Sequence, residues 1–171
     1  RRFQNPRTGG FDCFETPTVG QRLQSLAGAV HNFHLHLFLG EPFGYERIIA
    51  AALPQYLFGG RLGACLALDL VEFGVRTLPF AEDPELLAAA LLYQARVLLA
   101  TQRSDGGWLE GDSDSTPSRA AGFKDSVPSS CSYSTWFRLC ALGMIDITLL
   151  GGSANDWGFR RTLGMGFAPA Q

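Results

Sequence analysis

Apolar residues recur every three to four positions over most of this chain, in five stretches separated by glycine and proline. In the first, Thr16-Pro17 reads as a helix cap followed by proline at the first helical position, and the pattern runs to about Leu39, where Gly40 and Pro42 stop it. Gln21, Arg22, Ser25, Gly28, Asn32 and His36 fall close to one side, with Leu23, Leu26, Val30 and Leu37 on others. So few charges predict burial on most faces. A shorter helix is predicted from about Tyr45 to Leu57, with Pro54 expected to kink it or end it early. The third runs from about Leu62 to Leu78 and stops at Pro79. Its polar residues Arg61, Cys65, Asp69, Glu72 and Arg76 recur at helical spacing and form one stripe. Asp83-Pro84-Glu85 starts a fourth helix that ends near Gln102. The fifth covers about Ser130 to Leu150, capped by Ser129 or Ser130 and closed by Gly151-Gly152. No segment alternates as a strand does, so the chain is predicted to be all-α.

Two regions escape this pattern. Residues 103–128 are rich in Gly, Ser, Asp and Pro and read either as a functional loop or as a surface excursion. The tail carries Trp157, Phe159, Leu163, Met165 and Phe167, apolar enough to pack back onto the helices or onto a partner.

The punctuation itself repeats. Gln102-Arg103-Ser104-Asp105-Gly106-Gly107-Trp108 combines two glycines that let a helix stop and reverse with a tryptophan that pins the turn. Looser copies are Gln4-Asn5-Pro6-Arg7-Thr8-Gly9-Gly10-Phe11 and Gln55-Tyr56-Leu57-Phe58-Gly59-Gly60. Gly10, Gly60 and Gly107 lie 50 and 47 residues apart, a period that marks stacked helix pairs. The expectation is one domain, 1–171, of about three hairpin units.

Composition narrows the functional classes. A chain of 171 residues, 46% hydrophobic, suits one domain with a sizeable core. A net charge of −2 offers no field for nucleic acid or an anionic membrane, and no apolar run is long enough to span a bilayer. Thirteen arginines against the single Lys124 leave many positions able to grip a carboxylate or phosphate with two parallel hydrogen bonds. Cys13, Cys65, Cys131 and Cys140 make no C-x-x-C pair, and Cys65 and Cys140 are expected to be small core residues. No secretion signal is visible and the default expectation is cytoplasmic, although a start at Arg1 leaves a processed N-terminus open.

Helix pairs at this period, punctuated by Q-x-x-D-G-G-W, resemble the α/α-toroid superfamily, which includes the terpenoid cyclases with their Q…G-x-W repeats and the β subunits of protein prenyltransferases. The resemblance implies inner helices at 18–39, 62–78 and 130–150 ringing a cavity, with 45–57 and 83–102 as outer helices. A closed ring of that kind uses about six pairs, twice what this chain holds, so an open arc, a dimer or a piece of a longer ring is implied. Exposed ends favour a homo-oligomer. The activities do not carry over by motif. After Trp108 there is no D-x-C, Ser134 stands where the prenyltransferase histidine would be, and Asp112-Ser113-Asp114 is only a fragment of the cyclase D-x-D-D motif.

Four groups of residues could carry chemistry. His31, His34 and His36 are the only histidines; two of them with Asp69 or Glu72 could hold zinc, or could simply bond between packed helices, and no metal or cofactor is expected. Arg22, Arg61 and Arg138 fall near the starts of the three inner helices, with Lys124 just before the last. Converging there, with Gln21 and Trp136 as further contacts, they would bind an anionic small molecule; alternatively they pair with Glu15, Asp69 or Asp125. His31, Asn32, Tyr133 and Arg138 would serve a polysaccharide lyase acting on acidic glycans. Asp69 and Glu72 could be paired acid/base carboxylates, or Glu72 could be neutralised by Arg76. His31, Asp69, Glu72 and Tyr133 are thus the catalytic candidates. Three readings follow: an isoprenoid cyclase-like or prenyltransferase-like enzyme or relic, a lyase-like toroid, and a non-catalytic scaffold that binds a partner.

Overall fold

The computed structural model describes residues 4–11, 18–39, 44–59, 62–109 and 130–157. Helix α1 spans Val19–Leu39, α2 Glu46–Leu57, α3 Ala64–Thr77, α4 Pro84–Ala100 and α5 Ser132–Ile145. A 3₁₀ turn, Leu78–Phe80, follows α3, and a π-helical turn, Asp146–Leu150, follows α5. The fold is all-α, and no strand occurs among the described residues. Among those residues no helix is long and apolar enough to cross a membrane.

The helix ends follow local chemistry. Thr18 and Gln21 form a reciprocal cap: Gln21 N–H donates to Thr18 Oγ1 at 3.2 Å, while Gln21 Oε1 accepts from Thr18 N at 2.9 Å. The helix therefore starts after Thr18; Thr16 and Pro17 lie outside the described residues. Asp83 caps α4 by accepting from Leu86 N at 2.9 Å, with Pro84 at the first position. At α5 the cap is Cys131, whose sulfur accepts from Ser134 N, and not Ser130, whose hydroxyl is drawn instead to Asp105 at 2.6 Å. Pro54 does not end α2: its carbonyl accepts from Phe58 N, and the helix continues to Leu57. After α5 the chain leaves through Gly151 at φ +81, a left-handed value that glycine adopts without strain. Trp157 is half-buried against the core and donates its indole N–H to Asp146 at 2.8 Å; Phe159, Leu163, Met165 and Phe167 lie outside the described residues.

Helix α3 packs against all four others; α2 and α4 also lie against each other, as do α4 and α5. The core between the helices holds Leu53, Leu57, Leu70, Phe73, Leu87, Leu91, Leu98 and Trp108, each at most 1% exposed. Each such side chain contributes about 1.5–3 kcal/mol by leaving water. At Gly74 a methyl would come within 2.8 Å of Leu91, so the absence of a side chain sets how closely α3 meets α4. Buried Gln94 of α4 donates to the Leu57 carbonyl at the end of α2, which satisfies a helix-terminal acceptor the core would otherwise strand.

Two of the three glycine-pair turns fall within the described residues, and they are wired alike. In 4–11, Gln4 Nε2 donates to the Gly9 carbonyl at 2.7 Å, Asn5 N to Gly10 O at 2.8 Å and Gly9 N to Asn5 O at 2.8 Å. In 102–108, Gln102 Nε2 donates to Gly106 O at 2.8 Å, Arg103 N to Gly107 O at 2.9 Å and Gly106 N to Arg103 O at 2.9 Å. The second glycine's N–H is taken by the side chain two residues earlier, Thr8 in one turn and Asp105 in the other. The first glycine has positive φ in both, +71 at Gly9 and +86 at Gly106. Gly60 of the middle copy lies outside the described residues.

Candidate functional site

Gly74 fixes which way α3 faces. At about 100° per residue, Cys65, Asp69, Glu72 and Arg76 lie together on the side of α3 opposite Gly74 and therefore away from α4. Helix α1 brings two histidines to that stripe. His34 Nε2 lies 3.0 Å from Glu72 Oε1, a close contact poorly aligned as a hydrogen bond. Arg76 Nε donates to the same oxygen at 2.9 Å. The exposed His31 sits edge-on to His34, ring centroids 6.3 Å apart.

The two carboxyls of the stripe are driven apart. Burial pushes Asp69 up to about 6; the Glu72 charge adds to this, while His31, His34 and the Cys65 thiol pull the other way without prevailing. Burial acts on Glu72 too, but the His34 contact and the Arg76 guanidinium outweigh it and hold that carboxyl below its usual range. Adjacent carboxyls split in this way divide the labour of acid/base chemistry: Asp69 can exchange a proton near neutrality, and Glu72 stays ionised. Cys65 is not a core residue but half-buried beside Asp69, its Sγ 3.9 Å from Oδ2. Cys140 is buried as expected, and burial together with the Glu72 charge pushes its thiol up to about 11.

That influence of Glu72 on Cys140 locates α5. Tyr133, Trp136, Phe137 and Cys140 repeat at helical spacing and share one face. Tyr133 packs on Phe137 at 4.5 Å between ring centroids, and Trp136 meets Phe137 edge-on at 4.9 Å. Trp136 is 45% exposed, so part of its ring stands free of the described core. The α3 stripe turned from α4 thus combines the α1 histidines with a split carboxyl pair, and Cys140 of the aromatic α5 face lies close to Glu72.

No protein-family model matches the chain, and it matches no curated protein and no solved structure.

The expected residues divide. His31, Asp69 and Glu72 come together, and Tyr133 and Trp136 lie on the neighbouring α5 face. Gln21 serves the α1 cap. Arg22 lies close to half a turn around α1 from His31 and faces Tyr56 of α2. Arg138 is 4% exposed and donates through Nη2 to the carbonyls of Leu62 and Leu109, both at 3.3 Å, so it staples α5 to the approach to α3 and to the strand of chain after Trp108. Arg61, Lys124, Glu15, Asp125, Cys13 and Asp112-Ser113-Asp114 lie outside the described residues. Among the described residues no three His, Cys, Asp or Glu side chains are arranged to hold a metal ion. Cys140, seven residues after Tyr133, lies on the aromatic face of α5.

Proposed function

We propose that this chain is a helical-hairpin repeat domain of the α/α-toroid type whose inner face binds an extended apolar molecule of isoprenoid character, with Asp69 exchanging a proton and Glu72 supplying fixed negative charge. The observation that carries the reading is that Cys140, on the α5 face that bears Tyr133, Trp136 and Phe137, lies close enough to Glu72 of the α3 stripe to feel its charge. Aromatic faces and an ionised carboxylate together favour apolar and positively charged species over anions. The matched wiring of the two glycine-pair turns supports the repeat architecture. A second copy completing the ring belongs to the same reading. An acidic glycan fits less well: Asp69 and Glu72 would repel it, and Trp108, a candidate stacking platform, is 1% exposed in the core.

The test is titration of the protein with a fluorescent farnesyl alcohol, read by energy transfer from tryptophan. Saturable binding is expected, weakened about tenfold by Trp136→Ala, a loss of about 1.4 kcal/mol. An uncharged ligand covering Asp69 favours its protonated form, so affinity falls as pH rises through about 6 and becomes flat in Asp69→Asn. Absence of saturable binding overturns the ligand class and leaves the scaffold reading. Binding that ignores both substitutions overturns the site.

A further inference from the structure

On the side of α1 away from His31 lies a cleft. Its walls are Arg7 and Thr8 of the first glycine-pair turn, Arg22 and Leu26 of α1, and Ile48, Ala51, Ala52, Gln55 and Tyr56 of α2. The cleft holds about 260 Å³. Its hollow exists because α2 presents Ala51 and Ala52 where larger side chains would fill the space. Leu26 and Ile48 make the rest of the floor apolar, Arg7 and Arg22 are exposed, and among the described residues no acidic side chain lines the cleft. Burial raises the Tyr56 phenol, and the Arg22 charge acts against that shift, so the guanidinium field reaches the hydroxyl at the base. A site with two guanidinium groups, the Thr8 and Tyr56 hydroxyls and an alanine-floored pocket is complementary to one chemistry: a single anionic head joined to a short aliphatic body.

We propose that the cleft between the 4–11 turn, α1 and α2 binds a small amphiphilic anion, a carboxylate or phosphate monoester carrying a chain of about four to eight carbons. The head group lies between Arg7 and Arg22, and the chain lies over Ala51, Ala52 and Ile48. The size sets the class. A space of this volume takes a ligand of about ten non-hydrogen atoms and excludes a full isoprenoid, so this site is separate from the one proposed on the inner face. Its position differs too, since Arg22 and Leu26 face α2, on the side of α1 away from His31.

The test is calorimetric titration of the full chain with hexanoate, hexyl phosphate and inorganic phosphate. Hexyl phosphate and hexanoate are expected to bind at least tenfold tighter than inorganic phosphate, because only they fill the floor. The tighter of the two identifies the head group. Arg22→Ala is expected to weaken hexyl phosphate about tenfold or more, and Arg22→Lys by less, because lysine keeps the charge and loses the paired donors. Ala51→Leu, at an exposed position the fold tolerates, plugs the floor; it is expected to abolish the advantage of the alkyl chain while leaving inorganic phosphate unchanged. Trp136→Ala is expected to change none of these values, which separates this site from the inner face. Equal affinity for hexyl and inorganic phosphate, or indifference to Ala51→Leu, reduces the cleft to two surface arginines and overturns the proposal, as does absence of binding by either alkyl ligand.

Discussion

The turns at 4–11 and 102–108 share their internal hydrogen bonds and differ in what holds them. Trp108 is 1% exposed, donates its indole N–H to the Leu98 carbonyl at 2.7 Å, and receives through its own carbonyl the N–H of Cys131. Its backbone N–H reaches Thr135 Oγ1 at 3.2 Å, and Asp105 accepts from the Ser130 hydroxyl at 2.6 Å, a bond that with the Gly107 N–H holds the Asp105 carboxyl below its usual range. The second turn is thus bonded to the helix before it and the helix after it. The first is held by fit: Gly9 lies against Ile49 of α2 and Tyr45 just before it, Gly10 lies against Ser25 of α1, and Phe11 is only half-buried. The first is also one residue longer, so Gly9 N reaches back four residues to Asn5 O where Gly106 N reaches back three to Arg103 O. A glutamine and two glycines set the wiring; the residue after them sets the anchorage. The anchored turn fixes the start of α5, which carries Tyr133 and Trp136, while the looser one lends Arg7 and Thr8 to a cleft wall.

The largest expected effect separates the two anchors. Trp108→Ala empties a fully enclosed site and takes one of three donors from the Leu98 carbonyl, which keeps the Thr101 N–H and hydroxyl, at a cost of about 3–5 kcal/mol. Thermal unfolding would register this as a fall of about 10 °C or more. Phe11→Ala removes a smaller, half-exposed ring and is expected to cost about 1 kcal/mol. Equal losses would mean that the two turns are anchored alike.

A smaller effect tests the fit of the second glycines. A methyl at Gly107 would lie 2.5 Å from Ser130 Cβ and 2.8 Å from Thr135 Oγ1, atoms tied to the start of α5. Gly107→Ala must therefore move backbone, at about 2 kcal/mol. The methyl of Gly10→Ala meets first the Ser25 hydroxyl, the end of a side chain that can rotate, with Ser25 Cβ at 3.3 Å. That substitution is expected to cost about 1 kcal/mol or less by chemical denaturation. A larger loss at Gly10 would show that the first turn is the more rigid of the two.

Most of the helical frame was legible because it rests on local chemistry. Asp83-Pro84, Gly151 and the three-to-four spacing each act within a few residues. The cap of α5 was not, because Ser130 is claimed by Asp105 twenty-five positions away, and only the fold shows that competition. The stripe Cys65, Asp69, Glu72 and Arg76 could be read from spacing, as could the pairing of Arg76 with Glu72. What spacing could not give was direction. Arg22, His31 and Arg138 sit near corresponding helix starts or faces in the sequence, yet Arg22 turns to α2, His31 to α3, and Arg138 to two backbone carbonyls. Helix rotation is decided by long-range packing, here by contacts such as Gly74 on Leu91, and a single chain's periodicity does not encode the partner.

The smallest expected effect concerns the glutamines and inverts the order of the anchors. Gln4 is 8% exposed and Gly9 is buried, so Gln4→Ala leaves the Gly9 carbonyl without that donor and with little access to water, at about 1–2 kcal/mol. Gln102 makes the equivalent bond to Gly106, but both residues are exposed; water replaces the amide, and Gln102→Ala is expected to cost about 0.5 kcal/mol or less. Amide hydrogen exchange resolves the two locally. Asn5, whose N–H is bonded to Gly10, is expected to lose protection in Gln4→Ala, whereas Arg103, bonded to Gly107, keeps most of its protection in Gln102→Ala because Trp108 still clamps the turn. Should both amides lose protection equally, the glutamine rather than the tryptophan would be holding the second turn, and the division between wiring and anchorage would fail.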